Sequence, residues 1–198
     1  MWEKNYAPVV IANKIIVRAP FHEPSKQNLT EIIVEPGMAF GTGHHPTTEM
    51  VAGYLLEMDI RGQFLFDMGC GSGILGILAA KTGAGNVIMA DNDPDSVSNA
   101  MKNIALNNLQ NISVFCGSTE LLSGYSPGII TANINKPVLI RHAGHYYKAL
   151  KPGGLLVTSG VLETDFEDVM NAASGYGFRM ISRRLKKKWL MLVFTKPC

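Results

Sequence analysis

The residues best equipped for chemistry form one short run, Asp67-Met68-Gly69-Cys70-Gly71-Ser72-Gly73. Three glycines in alternation remove every Cβ that would keep a ligand off the backbone, and they permit left-handed turns. A loop of this kind opening a helix also points backbone N–H groups into the space above it. Gly71-Ser72-Gly73-Ile74-Leu75-Gly76 satisfies the GxGxxG spacing of a dinucleotide loop, and Asp91 stands near the offset expected of a ribose-binding acid. That pattern alone fits two cofactors, a nicotinamide dinucleotide or S-adenosylmethionine. Asp67 separates them. A carboxylate immediately before the loop repels a pyrophosphate and attracts the ammonium and sulfonium of S-adenosylmethionine. Asp91 can accept from both ribose hydroxyls, while Asp93, directly before Pro94, is the natural cap of the next helix.

These residues need elements to hold them. Phe64–Met68 reads as a buried strand, Ile74–Lys81 as a helix stopped by Gly83, and Asn86–Ala90 as a second strand ending at Asp91. A helix follows from Pro94 to about Asn107. Ile112–Phe115, Ile129–Ala132 and Leu155–Ser159 read as further strands, with helices from about Pro137 to Leu150 and from Glu163 to Ala173. Strands alternating with helices imply a doubly wound α/β, Rossmann-like fold with a mostly parallel sheet. Phe178–Leu185 and Trp189–Phe194 have too short a connection for a crossover and should close the chain as an antiparallel hairpin. Ligands on such sheets sit beyond the carboxyl ends of the strands. Asn133, after the fourth strand, should therefore reach the site, where its side-chain carbonyl can orient an amine N–H. Ahead of the sheet, Val9–Ile11, Lys14–Arg18 and Glu31–Val34 read as a small antiparallel lead-in over residues 1–35, with the main domain spanning 36–198. A helix opening at Pro46 should run to about Met58.

Composition narrows the classes. The net charge of +2 over 198 residues argues against a polyanionic partner, and direct nucleic-acid binding is not expected. Three widely spaced cysteines, Cys70, Cys116 and Cys198, form neither a disulfide framework nor a zinc ribbon. No apolar run is long enough to span a membrane, and the N-terminal residues do not resemble a signal peptide, so a cytoplasmic location is expected. His44-His45 and the pair His142 and His145 lack a further ligand and read as surface histidines, so no metal is expected. Arg183-Arg184 and Lys186-Lys187-Lys188 read as the solvated turn of the hairpin.

The Asp67–Gly73 loop, the acid ending the second strand and the terminal hairpin resemble class I methyltransferases. A longer block, Pro36-Gly37-Met38-Ala39-Phe40-Gly41-Thr42-Gly43-His44-His45-Pro46-Thr47-Thr48, together with Asp67 through Leu75 and Ala132-Asn133-Ile134, is similar to the bacterial family that methylates ribosomal protein L11 (PrmA type). The similarity runs from about Trp2 to the C-terminus. It implies that Thr48, Gly69, Asp91 and Asn133 contact S-adenosylmethionine, with Asp67 and Gly71 completing the loop and Asn133 also serving catalysis. It implies methyl transfer to lysine and N-terminal amines of a ribosomal protein. The glycines of Phe40–Thr48 permit movement, so that segment reads as a flap or floor over the cofactor. Two departures stand out. The family's separate N-terminal recognition domain is almost absent, and its small residues after the Asn are replaced by Asn135-Lys136-Pro137. Rival readings are a methyltransferase of another protein or small molecule, a nicotinamide-dependent oxidoreductase, and a domain that binds without catalysing. No Asn-Pro-Pro-aromatic motif follows the fourth strand, which disfavours a nucleic-acid base as acceptor.

Overall fold

The computed structural model describes residues 7–36 and 43–198. The β-α alternation folds into a seven-stranded sheet. Its strands are β4 (Phe64–Met68), β5 (Asn86–Asp91), β6 (Ile112–Cys116), β7 (Ile129–Asn133), β8 (Leu155–Leu162), β9 (Arg179–Lys186) and β10 (Trp189–Thr195). The spatial order is β6-β5-β4-β7-β8-β10-β9. β6 through β8 pair in parallel. β10 lies antiparallel between β8 and β9, forming the expected edge hairpin. Chain direction reverses about β4, whose successors lie to one side through β5 and to the other through β7. That is the switch point at which a ligand crevice opens.

Strand side chains alternate between faces and so feed two cores. Leu65, Val87, Met89, Ile129, Val157, Met191 and Val193 join one apolar cluster. Phe66, Ile88, Ile130, Leu156, Leu190, Leu192 and Phe194 join the other. The first is covered by α1 (Pro46–Leu55), α2 (Ile74–Lys81) and α3 (Pro94–Leu106), the second by α4 (Lys136–Ala149) and α5 (Phe166–Gly175). Both faces of the central strands are therefore buried, which is why these strands read as continuous apolar runs.

Local chemistry sets the helix ends. Asp93 caps α3 by accepting from the Asp95 N–H, with Pro94 in the first turn. Asn135 does the same for α4 through Val138. α1 stops at Leu55, three residues short of the expected end, because Glu57 and Met58 turn back on Tyr54 and Leu55 in tight i→i−3 bonds. β8 runs three residues past its expected end at Ser159. Gly160 has φ +86°, yet the strand continues because β10 supplies pairing partners for Val161 and Leu162 beyond it. Glu163–Asp165 is a single 3₁₀ turn before α5.

The N-terminal strands β1 (Val9–Ile11), β2 (Ile15–Arg18) and β3 (Thr30–Ile33) form a separate small sheet. It is not wholly antiparallel as expected: β1 and β2 are antiparallel, but β3 runs parallel to β2. The connection through residues 19–29 is a crossover rather than a hairpin. Arg18 braces it by donating to the carbonyls of Ala19 and His22 and pairing with Glu31 at 2.7 Å. Ile11, Ile15, Val17 and Ile32 of this sheet, and Val34 just after it, are buried in the same cluster as α1 and α2.

Candidate functional site

The loop after β4 has the left-handed geometry its composition requires. Gly69, Gly71 and Gly73 have φ of +70°, +53° and +79°. A Cβ on Gly69 would stand 2.3 Å from Ile134 Cγ2, so that glycine also lets β7 close against the loop. A Cβ on Gly73 would meet Met89 at 3.0 Å and Ala100 at 3.2 Å, so this position serves packing between α2, α3 and the sheet. The loop is tied to β5 at both levels. The N–H groups of Gly69 and Cys70 donate to the Ala90 carbonyl, and that of Gly71 donates to Asp91 Oδ2 at 2.9 Å.

Asp91 thus helps to build the loop. Its Oδ1 accepts from the Asp93 N–H at 3.0 Å. Each oxygen retains a lone pair for a ligand hydroxyl. Asp91 lines a cavity of about 420 Å³ together with Gly69, Gly71, Asn92, Ser118 and Tyr146. The cavity lies over the carboxyl ends of β4, β5 and β6, where the topology places a crevice.

Asp67 lies one step lower. It is 1% exposed, and Oδ1 accepts from the Thr131 hydroxyl at 2.6 Å. Oδ2 has no partner among the described residues. Burial pushes the pKa up to about 6; the Thr131 hydroxyl and the nearby Gly76 backbone N–H oppose this, and the charge of Asp91 adds to it. Asp67 is not among the residues lining the cavity. It is a carboxylate under the loop, uncompensated by any cation of the chain among the described residues.

Thr48 and Asn133 come together from distant parts of the sequence. Asn133 Nδ2 donates to Thr48 Oγ1 at 3.3 Å, joining α1 to the end of β7. This leaves Asn133 Oδ1 as an acceptor. The two residues line a smaller pocket of about 40 Å³ with Gly69, Cys70 and Gly71, on the opposite flank of the loop from Asp91. Thr48, Gly69, Gly71, Asp91 and Asn133 therefore converge, with Asp67 beneath them. Of the Pro36–Thr48 block, residues 37–42, including the first three of the expected flap, lie outside the described residues.

Other expected features took a different form. His45 is half-buried rather than a surface residue: it caps α1 and packs edge-on against Trp189 at 4.8 Å. The basic hairpin spends several charges on the fold. Arg184 pairs with Glu57, Lys186 with Glu49, and Arg183 with Glu163. Lys187 and Lys188 remain exposed at the turn. Asn135 and Lys136 are structural: Asn135 caps α4, and Lys136 bridges Asp165 at 2.7 Å and Asp168 at 2.9 Å.

Sequence reading missed Asn103. This wholly buried residue donates to the Ser72 carbonyl and accepts from the Glu35 N–H, both at 2.8 Å, and so ties the glycine loop to the strand leading into the Pro36 block. The signal was available in part, since Asn103 and Asn107 are polar residues one turn apart on the inward face of an amphipathic helix. Ser118 was also missed, although it follows a parallel strand, where functional residues are expected.

A family profile described as "Ribosomal protein L11 methyltransferase (PrmA)" matches residues 1–197. The chain belongs to this family. A ribosomal protein L11 methyltransferase of Porphyromonas gingivalis is 41% identical over 98% of this chain and 68% of its own length. One from Phocaeicola vulgatus is 38% identical over 98% of the chain and 69% of its own length. The chain thus spans about two thirds of these L11 methyltransferases. A ribosomal protein L11 methylase structure from Lactobacillus delbrueckii subsp. bulgaricus superposes with a TM-score of 0.89 at 24% identity, covering 98% of this chain and all of that one. The L11 methyltransferase fold seen here is the class I methyltransferase fold. No helix among the described residues is long and apolar enough to cross a membrane.

Proposed function

We propose that the chain transfers the methyl group of S-adenosylmethionine to amines of ribosomal protein L11, namely lysine side chains and the N-terminal amine. In this reading residues 36–198 form the methyltransferase domain, residues 1–35 are its β lead-in, and the reaction takes place in the cytoplasm without direct nucleic-acid contact. The observation that carries the reading is the orphaned Asp67 oxygen beneath a glycine loop whose cavity is also walled by Asp91. Two carboxylates at one loop favour a cationic amino-acid tail and disfavour a diphosphate.

The residues present fit that cofactor. Gly69 and Gly71 allow close approach, Asp91 offers oxygens to the ribose hydroxyls, Asp67 supplies negative charge, and Thr48 with Asn133 borders the opposite flank. When bound, S-adenosylmethionine supplies a methyl group already activated on a sulfonium. Alignment is then the chain's main contribution, and it supplies up to several kcal/mol. The Thr48 hydroxyl holds the Asn133 amide so that Oδ1 can accept an N–H from the incoming amine and direct its lone pair. That amine must be neutral, and its ordinary pKa near 10 falls in a dry site beside a cation.

Titration calorimetry and a transfer assay test this. S-adenosylmethionine and S-adenosylhomocysteine should bind and NAD should not. Methyl groups should appear on purified ribosomal protein L11. Asp91→Ala should weaken cofactor binding at least about tenfold. Asn133→Ala should lose turnover or cofactor binding. Binding of NAD alone would refute the reading.

A further inference from the structure

Two charges of the basic hairpin have no counter-charge among the described residues. Arg183, Arg184 and Lys186 are each paired with a glutamate. Lys187 and Lys188, the two residues between β9 and β10, are exposed and enter no ion pair of the described residues. The turn is tightly built. Lys187 has φ +57°, a left-handed value uncommon for a side chain of this size, held by the pairing of Lys186 with Trp189 on either side. The Lys188 carbonyl accepts from the Glu163 N–H at 3.0 Å.

The turn stands beside the flank of the site where Thr48 meets Asn133. Lys186 pairs with Glu49, the residue after Thr48, and the Trp189 ring packs on His45, the cap of α1. The Lys188 ammonium lies 5.9 Å from the centre of that indole. Burial first, and then the charge of Lys187, hold the His45 imidazole below its usual pKa, so Lys187 lies within electrostatic reach of the α1 cap. Leu162, which pairs with Trp189, is three residues beyond Ser159, the partner of Asn133 on the adjoining strand. That is roughly 10 Å along the strand, the span of about three residues of an extended acceptor chain.

This placement bears on which amines can approach. A lysine brought to Asn133 faces the sulfonium of the cofactor and two more positive charges at the rim. A basic segment around it is repelled, whereas a neighbouring carboxylate is attracted and offsets the field. Glu49, Glu57 and Glu163 surround the hairpin and the net charge is only +2, which favours an acidic protein segment over a nucleic acid as the partner. We propose that Lys187 and Lys188 dock an acidic side chain flanking the target amine of the acceptor protein, and so help to select which amines are methylated. The inference rests on the reading that this chain methylates protein amines.

Fluorescence anisotropy with a labelled peptide, one lysine flanked by glutamates, tests it in the presence of S-adenosylhomocysteine. The double variant Lys187→Glu/Lys188→Glu should bind the peptide about 5- to 10-fold more weakly at low salt, and high salt should close the gap. Lys187→Arg/Lys188→Arg should match the wild type, and glutamines in place of the glutamates should weaken wild-type binding by a similar factor. Calorimetry should find S-adenosylhomocysteine affinity unchanged in every variant. Equal peptide affinity of the wild type and the Glu variant overturns the proposal, as does a wild type that binds no peptide. Loss of S-adenosylhomocysteine affinity in the Glu variant assigns the lysines to the cofactor instead. Displacement of the peptide by a single-stranded RNA at lower concentration than by unlabelled peptide overturns the choice of an acidic protein. A wild type that binds the peptide through these lysines but methylates no ribosomal protein L11 removes that acceptor and leaves the docking site.

Discussion

Asp67 and Asp91 share a side chain but occupy opposite electrostatic situations. Asp91 accepts two backbone N–H groups at the rim of the cavity, whereas Asp67 is sealed under the loop with one oxygen unpaired. The consequence for Asp67 is a pKa raised to about 6 from an ordinary value near 3.9. Below about pH 4 the residue is protonated folded or unfolded and has no effect. Between there and pH 6 the native state holds a proton that the unfolded state has released, so stability falls as pH rises through this window, and the loss is complete above it. Asp67→Asn keeps an acceptor for Thr131 and removes the charge. At pH 7.5 it should unfold later than the parent by on the order of 1–3 kcal/mol, with the gap closing toward pH 4. The same variant should bind S-adenosylhomocysteine about tenfold less tightly, because the charge that destabilises the loop attracts the ligand's ammonium. Denaturant titrations at the two pH values check the first part; an Asn variant weaker than the parent at pH 7.5 would contradict it.

At the scale of elements, α3 acts as a clamp through two asparagines. Asn107 behaves like an extra peptide beside β3, accepting from the Ile33 N–H at 3.0 Å and donating to its carbonyl at 2.6 Å. Asn103 bridges the chain at Glu35 to the loop at Ser72. Replacing either by Ala strands two backbone groups and should cost about 2–4 kcal/mol. Only Asn103→Ala should also raise the KM for S-adenosylmethionine, because only Asn103 touches the glycine loop; kcat should change little. Equal effects of the two variants on that KM would remove the distinction.

The whole molecule is more unified than a lead-in followed by a domain suggests. Five aliphatic side chains of the small sheet and the residue just after it lie in the cluster that also contains Val51, Leu55, Ile77 and Leu78. At about 1.5–3 kcal/mol for each fully buried aliphatic side chain, an upper estimate, their removal is comparable to the whole stability of a typical domain. A chain starting at residue 36 is therefore expected to lose cooperative unfolding and to bind a hydrophobic dye, as measured by near-ultraviolet circular dichroism and dye fluorescence. Cooperative unfolding like the parent's would make the small sheet dispensable.

Local sequence was enough for the elements whose signals are local. Asp93-Pro94 started α3, Gly69–Gly73 marked the turn after β4, and the apolar runs marked the parallel strands, because capping, positive φ and two-face burial act within a few residues. The family block and the loop also singled out Thr48, Gly69, Asp91 and Asn133, which the fold gathers around one loop. Tertiary structure decided what depends on partners far along the chain. The hydrogen bond between Thr48 and Asn133 spans 85 positions, β8 outlasted its glycine only because β10 was there to pair with it, and the turn residues between β2 and β3 mark a break without telling a crossover from a hairpin. The depth of Asp67 belongs to the same class. Burial and charge balance are properties of everything packed around a residue, and no window of sequence contains those neighbours.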